Sequence, residues 1–386
     1  MNGNSLFKSF WMGGFECSTH YARTKQRLDM LATTRHDAFL AQDYARLHEF
    51  GISTVREGVR WHSVQKKLGE YDLSTVVYMQ HLADEYHLQI IWDLFHFGYP
   101  DILDPFTPAF VRHYVAYARA FAQRLKNETD ATPIITPINE ISFLAFHGAE
   151  VGNMNPFTRG RGHELKEQLV RAAIEGMEAI WEVLPHARFM HNDPIFNTVA
   201  DTDDPVMIDR ARAYSYARYQ AWDMLAGSVQ PELGGNSKYL DILGVDYYPW
   251  NQWLYRSDYD FGATLAADDA RYVPLRFFLQ EIFERYARPL IIAETSTEYD
   301  ARPQWLAYVG RETRLALQMG VPLQGICWYP IVNFSGWDDG RLCENGLWGD
   351  SDVYGNRPLS EPLAREWYRQ RTALAHTLEQ MEVARA

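Results

Sequence analysis

The chain reads as an α/β protein built as a single (β/α)₈ barrel over residues 1–386. Two observations predict it. Short apolar runs alternate with longer segments of helical spacing, eight times over, with no Pro/Ser-rich linker, repeat or low-complexity segment between them. And nearly every apolar run ends in a residue that can hydrogen-bond or titrate, the pattern expected where parallel strands deliver side chains to one end of a barrel. An open doubly wound sheet would need a Gly-rich phosphate turn after an early strand. Gly13-Gly14 does not supply one, because no helix opens there.

Taken in order, Phe10–Cys17 is the first strand, and a polar, basic loop follows to Arg35. A helix over His36–Phe50 is ended by Gly51. Ile52–Arg56 is the second strand. Ser74 caps a helix to His87. Leu88–His96 is the third strand, and Pro108 opens a helix to Leu125. Pro133–Glu140 is the fourth strand, followed by a long loop, Gly148–Gly162. A helix over Glu164–Leu184 leads to strand five, Ala187–Asn192, and Pro205–Leu225 is again helical. Strand six lies in Tyr239–Tyr248, with a loop over Asn251–Tyr272. A helix over Pro274–Tyr286, strand seven (Leu290–Glu294), a helix over Pro303–Met319, strand eight (Leu323–Trp328) and a last helix over Glu361–Glu382 complete the count.

Composition narrows the function. The chain has 386 residues, 47% of them hydrophobic, enough for a large core. A net charge of −13 argues against nucleic acid and anionic membrane surfaces as partners, since no Lys/Arg cluster is available for phosphates. The 23 tyrosines and 12 tryptophans fit either an aromatic core or a cleft in which sugar rings stack. Three cysteines, Cys17, Cys327 and Cys343, form no disulfide framework and no metal-ligand spacing. The start, Met1–Ser5, has no basic region leading into an apolar stretch, and no apolar run of membrane-spanning length occurs. The expected setting is cytoplasmic.

The strand ends carry Glu16 and His20, Arg56, His96, Asn139 and Glu140, His191 and Asn192, Asp246 and Tyr248, Glu294, and Trp328. A lone buried histidine is usually structural, but a full ring of such groups at one level calls for chemistry. Glu140 and Glu294 lie three strands apart and so face each other across the mouth. Glycoside hydrolysis needs such a pair: one carboxyl as proton donor, the other as nucleophile or base. Arg56 is placed to keep one of them ionised. His20, His96 and His191 show no metal-site spacing, so neither metal nor cofactor is expected.

These residues resemble clan A glycoside hydrolases, family 1 (the β-glucosidase family) most of all. Thr136-Pro137-Ile138-Asn139-Glu140 is similar to the family's Thr-x-Asn-Glu-Pro acid/base motif, and Ile291-Ile292-Ala293-Glu294-Thr295 to its Ile/Thr-Glu-Asn-Gly nucleophile motif. Arg56 with Trp61 resembles Arg-x-Ser-x-x-Trp. Leu94–Pro100 resembles Tyr-His-Trp-Asp-x-Pro, and Leu243–Tyr248 resembles Ile-Gly-x-Asn-Tyr-Tyr. Trp328 to Trp337 resembles Trp-Ser-x-x-Asp-Asn-Phe-Glu-Trp.

The resemblance implies a retaining β-glycosidase working through a glycosyl-enzyme, with Glu140 as acid/base and Glu294 as nucleophile. It further implies Asn139 on the sugar 2-hydroxyl, Arg56 and Tyr248 holding the nucleophile, His96 on a glycone hydroxyl and Trp328 beneath the glycone, with Trp337 and Asp246 at motif positions. The departures fall on glycone recognition. Ile141 replaces Pro, Asp246 stands where the family has Asn, and the strand-one Gln is missing, leaving Glu16, His20 or Tyr21 to take its place. The expected partner is therefore a carbohydrate, of a sugar the sequence does not name. Oligomeric state is not legible. The alternatives are a non-hydrolytic carbohydrate-binding or interaction barrel and a metal-assisted hydrolase.

Overall fold

A computed structural model describes residues 5–385. Of the segment Met1–Ser5, on which the leader-free reading rests, Met1–Asn4 lie outside the described residues. Eight parallel strands close into a barrel in strict chain order. They are β1 (Trp11–Gly14), β2 (Thr54–Gly58), β3 (Gln89–Asp93), β4 (Ile134–Thr136), β5 (Arg188–Pro194), β6 (Ile242–Asp246), β7 (Leu290–Thr295) and β8 (Leu323–Trp328). Closure comes from β1, which pairs with both β2 and β8.

The period-2 alternation of a strand sorts its side chains between two cores. Met12, Ile91, Ile134, Met190, Ile242, Ile291 and Cys327 meet one another in the barrel interior. Their neighbours Val55, Trp92, Ile135, Phe189, Leu243, Ile292 and Ile326 pack outward against the helices. Counting two residues on from the interior set therefore gives the side chains that enter the mouth: Asp93, Thr136 and Asn192, with Asp246 four on from Ile242.

Several elements begin or end where local chemistry requires. Pro108 occupies the first turn of the helix Pro108–Leu125. Gly51, at φ 64°, takes the left-handed cap after His48–Phe50. Ser74 is the first residue of its helix and not the cap; its N–H instead donates to Asp72 Oδ1 at 3.1 Å. The segment Pro205–Leu225 is interrupted, as Pro205–Tyr216, a 3₁₀ turn and Gln220–Ala226.

Two expected loops are structured. Directly after Glu140 the chain turns into a short α-helix, Ile141–Leu144, which widens into a π-turn over Ala145–Val151. Gly148 permits that packing: a Cβ there would stand 2.5 Å from the Asn155 carbonyl oxygen. Within the expected loop Asn251–Tyr272, Gln252–Ser257 pairs antiparallel with Asp260–Thr264 and parallel with Asn197–Ala200. Among the described residues no helix is long and apolar enough to cross a membrane.

Behind the barrel wall lies a buried ionic cluster. On β2, Arg56 points inward, so Glu57 points outward and meets His36 Nε2 at 2.9 Å. The other ring nitrogen, Nδ1, meets Asp43 Oδ2 at 2.8 Å. Burial opposes the imidazolium, but Glu57 and Asp43 outweigh it and raise the His36 pKa to about 9. The folded value thus lies above the ordinary 6.5. The stability it contributes is fully present below pH 6.5 and is lost as pH rises through about 9. His36→Gln is expected to cost on the order of 3–5 kcal/mol, the usual penalty for leaving one side of a buried pair unmatched. In thermal unfolding, the gap between wild type and H36Q should be widest below pH 6.5 and narrow towards pH 9. A pH-independent gap would contradict the charged imidazolium.

Candidate active site

Irregular backbone aims both glutamates. In β7, Ile291 and Ala293 face the interior, so strict alternation would turn Glu294 outward. The register slips between Ile292 and Glu294, where Glu294 pairs with Asp246. A bulge of this kind re-aims one side chain. Glu140 has left its strand and sits at φ 44°, ψ 63°, a left-handed conformation that a non-glycine residue adopts at a cost. Its N–H is held by the Asn192 carbonyl oxygen at 3.2 Å. The result is a compact carboxylate group. One oxygen each from Glu140, Asp246 and Glu294 lie within 4.8 Å of one another.

Arg56 is the cationic hub beneath them, fully buried. Its Nη1 donates to Glu294 Oε1 at 2.9 Å and to the Ala293 carbonyl at 3.0 Å. Its Nη2 donates to Asp93 Oδ2 at 2.6 Å and to Asn139 Oδ1 at 3.0 Å. Tyr248 Oη donates to the other oxygen of Glu294 at 2.9 Å. Glu294 is thus held through both oxygens. Asn192 Nδ2 reaches Asn139 Oδ1 and Asp246 Oδ2, each at 2.6 Å. Two donors on Asn139 Oδ1 fix that amide, so its nitrogen faces His96 Nε2 at 3.0 Å. Nε2 then accepts, which assigns the ring proton to Nδ1, beside Cys17 Sγ at 3.2 Å and Asp93 Oδ2 at 3.5 Å.

The same packing separates the carboxyls electrostatically. Burial first, then the charges of Glu294, Asp246 and Asp193, push Glu140 well above the ordinary carboxylate range. Glu294 is also raised on balance, because burial outweighs the opposing pull of Arg56 and His96. Asp246 is pushed well up by burial and by Glu294. Of the two, Glu294 alone touches Arg56 and Tyr248, so the arrangement favours the charge on Glu294 and the proton on Glu140. Asp246→Asn removes a carboxyl whose charge, once formed, opposes ionisation of Glu140, so the anionic form of Glu140 becomes easier to reach. The basic limb of the kcat/KM profile should move to lower pH, with kcat at the optimum within about tenfold of wild type. An unmoved basic limb would show that Asp246 does not act on Glu140.

A cavity of about 900 Å³ opens above this group. Of the residues expected at the site, Glu16, His96, Glu140, Tyr248, Glu294 and Trp337 line it. Arg56, Asn139 and Asp246 are fully buried and are not on its wall. His20 packs edge-on against Trp337, with ring centroids 4.5 Å apart, and supports that wall from behind. Trp328 is placed away from the cavity, its indole N–H donating to the Asn345 carbonyl at 2.7 Å. Tyr329, the next residue, lines the cavity instead and stacks parallel to His96. His191 faces away from the interior core, towards Tyr239 and Asp241; burial lowers its pKa to about 4. Asn192, the adjacent residue on the strand, faces inward.

Sequence reasoning passed over Asp93, Tyr329 and Cys17. Asp93 was legible in principle, two residues beyond the inward Ile91. Among the described residues, two groups offer three ligand atoms at metal-like spacing, Cys17/Asp93/His96 and Glu140/Asp246/Glu294. In the first, Asp93 is already paired with Arg56. In the second, a cation would compete with the proton on Glu140.

A closed, parallel eight-stranded barrel ringed by helices is the TIM-barrel fold, and solved structures agree on it. The β-glucosidase of Thermotoga maritima in complex with castanospermine superposes with a TM-score of 0.75 at 13% identity, over 96% of this chain and 98% of that one. The AHE enzyme of Alicyclobacillus herbarius superposes with a TM-score of 0.79 at 16% identity, over 96% and 99%. A family 1 β-glucosidase structure from Thermotoga maritima gives 0.75 at 14% identity, over 95% and 98%. No family model and no curated protein matches the sequence, so the likeness is one of fold.

Proposed function

We propose that the protein is a retaining β-glycosidase acting on a β-linked glycoside or short oligosaccharide. The observation that carries this reading is the close approach of Glu140 and Glu294, one carboxylate oxygen of each lying within 4.8 Å of the other, with Arg56 in contact with Glu294 alone. Retaining enzymes hold their two carboxyls about 5–5.5 Å apart, whereas inverting enzymes need about 6.5–9.5 Å to admit a water. Glu294, held by Arg56 and Tyr248, attacks the anomeric carbon. Glu140 protonates the departing oxygen, then deprotonates the water that releases the glycosyl-enzyme.

Glu16 and His96 are the polar groups that meet the glycone, with Tyr329 and Trp337 as its aromatic surfaces. This wall differs from the family motif at strand one and after strand eight, where Ser335-Gly336 precede Trp337 in place of the motif's Glu, which favours a sugar other than glucose or galactose. The test is inactivation by a panel of activated 2-deoxy-2-fluoro glycosides, followed by peptide mass spectrometry. One equivalent of label on Glu294 is expected. Failure of every glycoside in the panel to label it would favour a carbohydrate-binding barrel without turnover.

A further inference from the structure

The catalytic pair occupies only the floor of the cavity. Its outer part is walled by rings that no glycosidase step requires. Phe196 stacks on Trp253 with centroids 5.3 Å apart, Trp253 meets Phe261 edge-on at 5.2 Å, and Phe261 meets Phe146 at 5.6 Å. All four line the cavity. Trp253 and Phe261 come from the small three-stranded sheet, Phe146 from the π-turn after Glu140. Flat apolar walls suit a planar ring, which stacks or meets them edge-on.

Charged groups line the cavity too, Glu150, Glu298, Asp338, Asp339 and Arg341 among them, and one cation there is buried. Lys166, in the helix Gly162–Trp181, is only 9% exposed and lines the same cavity. Its ammonium donates to Gln220 Oε1 at 2.7 Å, a neutral partner that also lines the cavity. Asp193 acts on Lys166 from a distance, and no ion pair closes between them; burial pulls the lysine below its ordinary value. A buried ammonium has three donors, and desolvating it is costly unless an anion compensates. Among the described residues no carboxylate lies at hydrogen-bonding distance from it. A carboxylate entering the chamber would supply it, in surroundings where water screens the pair poorly.

Resting on the glycosidase reading and narrowing its substrate, we propose that the outer chamber binds an aromatic aglycone bearing a carboxylate. The ring lies against Phe146, Trp253 and Phe261, and the carboxylate meets Lys166. The natural substrate is then a glycoside of a phenolic acid, and the aglycone is released as the free acid. Sugar rings also stack on aromatic faces, but their neutral hydroxyls would leave the ammonium uncompensated.

The test is a binding measurement that needs no turnover, so its failure is separable from failure of the proposed activity. Quenching of tryptophan fluorescence is titrated with 4-hydroxycinnamic acid, with its methyl ester, and with cellobiose. The acid should bind about tenfold or more tightly than the ester, the worth of one charge-assisted hydrogen bond. Lys166→Met should remove that preference while keeping affinity for the ester, and Lys166→Arg should retain it. Retained ester binding also shows that the variant is folded; a K166M protein that loses all binding is replaced by K166Q for the same comparison. Equal binding of acid and ester, a preference that survives loss of the lysine charge, or tighter binding of cellobiose than of either would overturn the proposal.

Discussion

Glu294→Gln is expected to lower kcat by on the order of 10⁴-fold or more on every substrate, the scale of loss when a nucleophile is removed. The reason is specific to this site. Glu294 is presented by a bulge and fixed through both oxygens by Arg56 and Tyr248, and a neutral amide neither attacks the anomeric carbon nor balances the guanidinium. Glu140→Ala should behave differently. A dinitrophenolate leaving group departs without protonation, so formation of the glycosyl-enzyme continues while its hydrolysis, which needs Glu140 as base, slows. Intact-mass spectrometry of E140A during turnover should therefore show the glycosylated enzyme accumulating, with a burst of phenolate. Azide, which needs no general base, should restore turnover to E140A and leave E294Q inert. Accumulation of an intermediate in the Glu294 variant would reverse the two roles.

The part of this site visible in the sequence is the part that depends on strand order. Ile291–Glu294 and Ile135–Glu140 are apolar runs with a carboxylate at the end, and three strands of separation in a closed barrel bring such residues face to face. Strand eight, Leu323–Trp328, matches its reading to the residue, because Pro322 precedes it and its run is continuous. What the sequence hides is the local backbone that decides which neighbour is presented. Alternation alone would have turned Glu294 outward, and only the register slip against β6 corrects it. The same one-residue issue separates Tyr329 from Trp328 and Asn192 from His191. For the second pair the signal existed, since the inward Met190 fixes the parity of β5. The hairpin after Gln252 was also signalled, by an aromatic-rich run, Trp253-Leu254-Tyr255, ahead of Asp258. Its pairing with Asn197–Ala200 spans more than fifty residues and has no local signature.

Arg56 carries the second large effect. It is the cation that two buried carboxylates, Asp93 and Glu294, both share. Arg56→Met would leave each of them buried without it, at a cost of about 3–5 kcal/mol in stability, together with a loss of kcat of about 10²-fold or more. The two effects have different pH signatures. Burial works to raise Asp93, but Arg56 and His96 overcome it and hold the folded pKa below the ordinary 3.8. In the wild type its stabilisation is therefore present above that value and is lost only as pH falls through the lower folded one. In R56M the principal opposing charge is gone, so Asp93 and Glu294 both take up protons at higher pH. The stability deficit should then be largest near neutral pH and shrink in acid, while the acid limb of kcat/KM, set by ionisation of Glu294, moves to higher pH. Arg56→Lys keeps the charge but not the planar fork that spans Asp93, Glu294 and Asn139, so it should recover stability more fully than rate. Thermal unfolding and pH–rate profiles on the same two variants decide the matter. An acid limb that stays in place in R56M would mean that Glu294 owes its charge to Tyr248 and His96 and not to the arginine beneath it.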